Sequence, residues 1–276
     1  MSKAYKTIVV DKNDGITTVR FNRPEKKNAM NPTMHREMYE VLSDLEVDDE
    51  TQVLIITGNG DAFNAGQDLK EYFYELKDKR REEHEIRRIS HAWRHQKLYY
   101  FPRPTIAMVN GWCFGGAFSV VGAADIAIAA DEAIFGLSEI NFGNLPGGIV
   151  TKVVADLMLP RQAIYYALTG AQFDGRKSAE IGFTTMSVPR ARLEATVLEI
   201  ARTLKAKDAH ALKATKDAFK AVDIRRMSHE ESWYWLKARI EQLTGEQKGG
   251  WMEKGIGKFM QGSYRPGKEA MPKDNP

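Results

Sequence analysis

Thr105-Ile106-Ala107-Met108-Val109-Asn110-Gly111-Trp112-Cys113-Phe114-Gly115-Gly116-Ala117-Phe118-Ser119 is the stretch that decides the architecture. Thr105 to Val109 reads as a buried strand, a glycine-rich turn follows, and Gly115 to Gly122 opens a helix. Working outward, Asp125 to Ala130 is another strand and residues 133–137 a further short one. Upstream, Gln52 to Thr57 is a short buried strand ending in the turn-rich Gly58-Asn59-Gly60-Asp61. Residues 7–11 and 16–21 read as strands joined by Asn13-Asp14-Gly15, a strong hairpin signal, and Pro24 ends the second. Asn31-Pro32 caps and opens a helix to about Leu45, because Pro fits the first helical position. Residues 68–100 are charged and mostly helical, and the mixed signs from Lys77 to Arg88 read as a solvated face. Downstream come helices near 147–157, 160–168 and 175–181, then a strand from Thr184 to Val188.

Short strands alternating with helices imply an α/β core with right-handed crossovers. The unit is a pair of hairpin-like strands plus a helix, repeated without a fixed sequence period. From about 190 to 260 the chain is almost all helical, with apolar spacing of three and four. This divides the chain into an α/β core over 1–189 and a helical region over 190–276. The second region is expected to pack on the core or on a neighbouring subunit. Its tail, Gly262 to Pro276, is polar and expected to be loose.

The 276 residues suffice for one large core or for a core with a helical appendage. A net charge of +3 gives no electrostatic footprint for nucleic acid or a membrane surface. No apolar run approaches the roughly 20 residues that span a bilayer, and the polar start carries no signal-peptide pattern. Cys113 is the sole cysteine, which excludes an internal disulfide and fits the cytoplasm.

Three segments carry candidate chemistry. Glycines ahead of a helix in Gly111 to Ser119 expose backbone N–H groups that can hold a developing oxyanion; close packing alone would also explain Gly115 and Gly116. Phe63-Asn64-Ala65-Gly66-Gln67-Asp68-Leu69 opens a helix after a strand, so the N–H of Gln67 can be a second donor. An ordinary helix start with Asp68 near the positive end of the dipole fits equally. Glu139 lies among Ile134, Phe135, Leu137, Ile140 and Phe142, where lost hydration would raise its pKa toward the range useful for proton transfer. Its alternative is a surface glutamate at a helix start. His84, His91 and His95 have helical spacing, but no HExxH surrounds them, so no metal is expected. Neither a GxSxG elbow nor a GxGxxG loop occurs, and Cys113 reads as a packing residue.

Taken in order, Asn22 to Met30, Ala65 to Tyr72, Asn110 to Ser119 and Phe135 to Gly143 with Pro146-Gly147 resemble the crotonase (enoyl-CoA hydratase/isomerase) superfamily. The similarity covers roughly 5–260. Within it, Asp68 to Phe73, Ala107 to Gly116 and Gly136 to Asn141 are most similar to the p-hydroxycinnamoyl-CoA (feruloyl-CoA) hydratase/lyases. The resemblance implies a spiral of ββα units with a C-terminal trimerisation region, assembled as a trimer or a dimer of trimers. It implies oxyanion donors at Gln67 and Gly116 and a catalytic Glu139. The first glutamate of simple hydratases falls on Ser119, which cannot act as a carboxylate acid/base. The acyl-CoA site would include Lys26, Ala65, Gln67, Asp68, Leu69, Tyr72, Gly115, Gly116, Phe142 and Tyr234, with Ser119 and the tyrosines orienting the aromatic end. Leu236 aligns nearest the family's C-terminal tyrosine. The chain departs from that family at Gln67, Ala117, Val120 and Phe142, and around Asn144 to Gly148. The implied reaction is hydration and retro-aldol cleavage of a 4-hydroxycinnamoyl-CoA to an aromatic aldehyde and acetyl-CoA, with no cofactor beyond the coenzyme A of the substrate. The alternatives are a hydratase or isomerase without C–C cleavage, and a non-catalytic scaffold or RNA-binding relative.

Overall fold

Successive strand pairs divide their members between two sheets, and this division places the loops that carry Gln67, Gly116 and Glu139. The computed structural model describes residues 4–207, 209–221, 228–231, 233, 234, 237, 241 and 256–263. The hairpin comes first: β1 (Ile8–Asn13) pairs antiparallel with β2 (Ile16–Phe21). Asp14 (φ 49°) and Gly15 (φ 76°) form a two-residue turn, both in the left-handed region that matches strand twist.

Helix α1 (Pro32–Glu46) starts as its sequence predicts, with the Asn31 side chain accepting from the Met34 N–H and Pro32 in the first position. Strand β3 (Val53–Gly58) joins the large sheet and β4 (Ala62–Asn64) the small one, and helix α2 (Arg80–His91) follows. The pairs β5 (Thr105–Val109) with β6 (Trp112–Phe114), and β7 (Ile126–Ala130) with β8 (Ile134–Gly136), divide in the same way. After β6 the chain makes a 3-10 turn (Gly115–Ala117) into α3 (Phe118–Ala123). After β8 it makes another, Ser138–Phe142, before α4 (Val150–Leu157) and α5 (Pro160–Thr169). Strand β9 (Gln172–Asp174), α6 (Gly175–Glu180) and β10 (Met186–Val188) complete both sheets.

The large sheet runs β1-β2-β3-β5-β7-β10 and is parallel from β2 onward. The small sheet runs β4-β6-β8-β9 and is parallel except for β8 with β9. Every residue of β3 and β5 is buried, which is why both read as unbroken apolar runs without alternation. The α/β class and the repeated two-strand unit are those that the resemblance to the crotonase superfamily implies.

One feature differs from the sequence reading: three strands of the small sheet, β4, β6 and β9, are absent from that reading, since three residues carry no periodicity. Helix α7 (Arg190–Lys205) buries Leu193, Val197 and Ala201 and packs on β2, β3, β5 and β7. Full burial of an aliphatic side chain is worth roughly 1.5–3 kcal/mol, so this helix is core packing. Helix α8 (Ala209–Ala221) follows it. No described helix is long and apolar enough to cross a membrane.

Candidate active site

The loop after β4 and the turn after β6 meet through glycine. Gly66 has φ 86°, and a Cβ on it would lie 2.7 Å from the Phe114 carbonyl oxygen and 3.2 Å from the Gly116 nitrogen. Only glycine permits both the backbone conformation and this approach. Met30 fixes the loop from the other side: its N–H donates to Gly66 O at 2.7 Å and its carbonyl accepts from the Asp68 N–H at 2.9 Å. These bonds take the backbone groups flanking Gln67 and leave the Gln67 N–H directed elsewhere. Gly116 lies in the first turn of its helix, where N–H groups have no intrahelical acceptor. The two residues share one cavity wall.

The cavity has a volume of about 140 Å³. Of the residues anticipated from sequence, Ala65, Gln67, Leu69, Tyr72, Gly115, Gly116, Glu139 and Phe142 line it together. Glu139 stands on the turn after β8, and a Cβ on Gly115 (φ 49°) would lie 3.1 Å from Glu139 Oε1. The carboxyl therefore occupies space that a side chain at 115 would fill. Oε2 is buried without a hydrogen-bond partner. Loss of hydration pushes the Glu139 pKa up to about 7, opposed only weakly by a backbone hydrogen bond. A carboxyl that is half-ionised at neutral pH is suited to both taking and giving a proton. Among the described residues, Glu139 is the cavity's carboxyl; no second one lines it.

Four anticipated residues do not line the cavity. Lys26 is exposed at the end of the Pro24–Lys26 turn. Asp68 caps the segment Leu69–Tyr74, accepting from the N–H groups of Lys70 and Glu71, and pairs with Arg23 Nη1 at 3.0 Å. Its carboxylate is thereby committed to holding the loop. Ser119 is buried behind the wall, donating to Gly116 O at 2.7 Å and accepting from Arg94 Nη1 at 2.9 Å. Tyr234 is 64% exposed; its neighbour Trp233 turns into the cavity instead. Leu236 lies outside the described residues.

Arg94 and His35 were missed by sequence reasoning. Both are buried in a chain of hydrogen bonds that ties together the Gln67 and Gly116 segments, and Arg94 also reaches the cavity wall. Trp93 Nε1 donates to His35 Nδ1 at 2.9 Å, so His35 Nε2 carries the proton and donates to Gln67 Oε1 at 2.8 Å. Burial pushes the His35 pKa down to about 3, keeping this neutral tautomer. Gln67 Nε2 then reaches Ser90 Oγ at 3.4 Å, and Arg94 Nη2 donates to the same oxygen at 2.7 Å. Arg87 also lines the cavity, although its segment reads as a solvated face. His91 and His95 instead pack their rings 5.1 Å apart, with Trp233 4.5 Å from His91. Among the described residues no group of three ligands could hold a metal.

The model of the enoyl-CoA hydratase/isomerase family matches residues 11–259. The chain belongs to that family. Among its relatives is the hydroxycinnamoyl-CoA hydratase-lyase of Pseudomonas fluorescens, 46% identical over 96% of each chain. An enoyl-CoA hydratase/isomerase from Xanthobacter autotrophicus superposes with a TM-score of 0.78 at 27% identity, over 94% of each chain. An enoyl-CoA hydratase from Mycobacterium avium subsp. paratuberculosis reaches a TM-score of 0.80 over 94% of this chain and 97% of its own, and at 21% identity it speaks to the fold alone.

Proposed function

We propose that this family member is a lyase that hydrates 4-hydroxycinnamoyl-CoA thioesters, of the feruloyl- and p-coumaroyl-CoA type, and cleaves them to an aromatic aldehyde and acetyl-CoA. The observation that carries the reading is the solitary buried Glu139 facing the paired donor loops. The thioester oxygen would lie between the Gln67 and Gly116 N–H groups, which stabilise enolate character by about 3–4 kcal/mol per donor. Glu139 takes a proton from water as the hydroxyl adds to Cβ, and returns a proton to Cα. In the second step Glu139 removes the β-hydroxyl proton, the Cα–Cβ bond breaks, and its electrons form the acetyl-CoA enolate. Protonation at Cα completes acetyl-CoA.

One carboxyl suffices if the substrate supplies the other push. The para-hydroxyl of the ring can donate through the double bond to a quinone-methide-like species, lowering the demand for a second acid/base group. Residues of this chain do all the proton transfers in this scheme; coenzyme A enters only as part of the substrate. The similarity to a hydroxycinnamoyl-CoA hydratase-lyase over nearly the whole chain supports this substrate class. Lys26 and neighbouring basic side chains are assigned to the coenzyme A phosphates, outside the acyl cavity. Assembly as a trimer or dimer of trimers in the cytoplasm belongs to the same proposal. Helix α5 supports assembly by exposing Ile164, Tyr165 and Leu168.

The test is to incubate purified protein with feruloyl-, p-coumaroyl- and crotonyl-CoA and identify products. Aldehyde and acetyl-CoA from the aromatic substrates are expected. A hydrated thioester without cleavage would replace the lyase by a hydratase.

A further inference from the structure

Arg94 is a buried cation on the wall of an acyl cavity, and all four of its hydrogen bonds go to neutral oxygens. Nε donates to Ser90 O (3.1 Å), Nη1 to Gly116 O (3.2 Å) and Ser119 Oγ (2.9 Å), and Nη2 to Ser90 Oγ (2.7 Å). A guanidinium has five N–H groups, so one on Nη2 remains. The other cations of the cavity wall have carboxylates: Arg87 pairs with Glu83 at 2.7 Å and Lys237 with Glu241 at 3.4 Å. Among the described residues no carboxylate pairs with Arg94. Burial lowers its pKa to about 10, which still leaves it charged at neutral pH. A desolvated charge without a counter-ion is costly in the empty protein, and a ligand anion would relieve that cost.

The surrounding wall narrows the choice of anion. Tyr72, Phe73, Phe142 and Trp233 present aromatic surface to the same cavity. Aromatic walls with an uncompensated cation suit a flat aromatic anion. We propose that Arg94 is the specificity-determining residue of the acyl cavity, the fixed counter-charge that binds the 4-hydroxyaryl group of the substrate as its phenolate. The identity of the anion rests on the hydroxycinnamoyl reading above; the need for an anion rests on Arg94 itself.

A phenolate bound here faces Arg94 and Arg87 as cations and Lys237 from the C-terminal region. Tyr72 faces it from the Leu69–Tyr74 segment and Glu139 from the turn after β8. His35, His91 and His95 stand behind and are held neutral by burial. The balance favours the ionised ring. Bringing the electron-rich phenolate into the cavity would also supply the push that the single carboxyl requires.

The experiment uses full-length protein carrying Glu139→Gln, so that 4-hydroxycinnamoyl-CoA binds without turnover. Ionisation of its phenol moves the absorption band to longer wavelength, and the bound ligand is titrated optically. An unperturbed phenol titrates near 10; beside a fixed cation a drop of about 1–3 is expected. Adding Arg94→Gln should reverse that drop by at least ~1, about a tenfold loss of phenolate below its pKa, whereas Arg94→Lys should retain most of it. A bound phenol that titrates identically with and without Arg94→Gln overturns the proposal. The Glu139→Gln protein with Arg94 intact supplies a second measurement that needs no folded Arg94 variant. Its affinity for 4-hydroxycinnamoyl-CoA relative to 4-methoxycinnamoyl-CoA should rise severalfold from pH 6 to pH 9. An unchanged ratio overturns the proposal, including the case in which Arg94 serves only a coenzyme A phosphate. Product analysis separates this test from that of the function: cleavage without phenol ionisation sinks the Arg94 role alone, and phenol ionisation without cleavage sinks the lyase alone.

Discussion

Replacing Glu139 by Gln should make the protein more stable while abolishing its chemistry, and the gain should depend on pH with a calculable size. In the folded protein the carboxyl titrates at about 7, against 4.5 when unperturbed. Folding therefore takes up a proton between these values. A carboxyl with a raised folded pKa gives stability that is fully present below about 4.5 and is lost as pH rises through about 7. At about 1.4 kcal/mol per pH unit, the gap amounts to about 3 kcal/mol, a cost that wild type carries above neutrality. A neutral amide in the same space removes the ionisation but not the missing partner at Oε2. The expected gain of Glu139→Gln over wild type is thus close to zero at pH 4.5 and about 2–3 kcal/mol at pH 8.5. Urea denaturation of both proteins at the two pH values, at equal concentration, measures it. A pH-independent difference would refute the buried, uncompensated carboxyl on which the mechanism depends. Turnover of feruloyl-CoA by the same variant near the wild-type rate would refute Glu139 as the proton-transfer group.

Gly115→Ala should lower kcat on feruloyl-CoA by about 100-fold, because a side chain 3.1 Å from Glu139 Oε1 displaces the carboxyl; steady-state kinetics decides. Gln67→Met should retain most activity, since the donor proposed for the thioester oxygen is backbone. It should cost about 1–3 kcal/mol of stability by unpairing buried His35, and a combined kinetic and denaturation measurement reads both effects. Trp233→Ala should raise KM several-fold while Tyr234→Ala leaves it unchanged, because only the first side chain lines the cavity; equal effects would contradict the placement of these two side chains. Asp68→Ala should lower the denaturation midpoint by the loss of a cap and a buried ion pair, about 2–4 kcal/mol, with substrate affinity little changed for correctly folded enzyme.

Local order alone determined a large part of this protein. Asp14-Gly15 admits few turns other than a hairpin, Asn31-Pro32 satisfies the first helical turn by itself, and the apolar runs of β3 and β5 demand cover on both faces. The glycine spacing at 115 and 116 and the apolar setting of Glu139 were legible for the same reason: their cause lies within a few residues of chain. Tertiary structure decided the rest. The small sheet is made largely of three-residue strands, whose pairing comes from neighbours far along the chain and leaves no local period. Asp68 looked like a ligand contact until Arg23, 45 residues away, claimed it. Ser119 sits in the right segment but behind the wall, and Trp233 faces the cavity where Tyr234 was expected, because side-chain orientation is set by packing. Arg94 lies in a charged, mostly helical stretch in which nothing local marks it out. Only its packing against the Gly116–Ser119 turn buries it, gives it Gly116 and Ser119 beside its own Ser90 as partners, and leaves its charge for a ligand to answer. A charge is visible in a sequence, but whether water, a carboxylate or a substrate compensates it depends on what folding brings alongside.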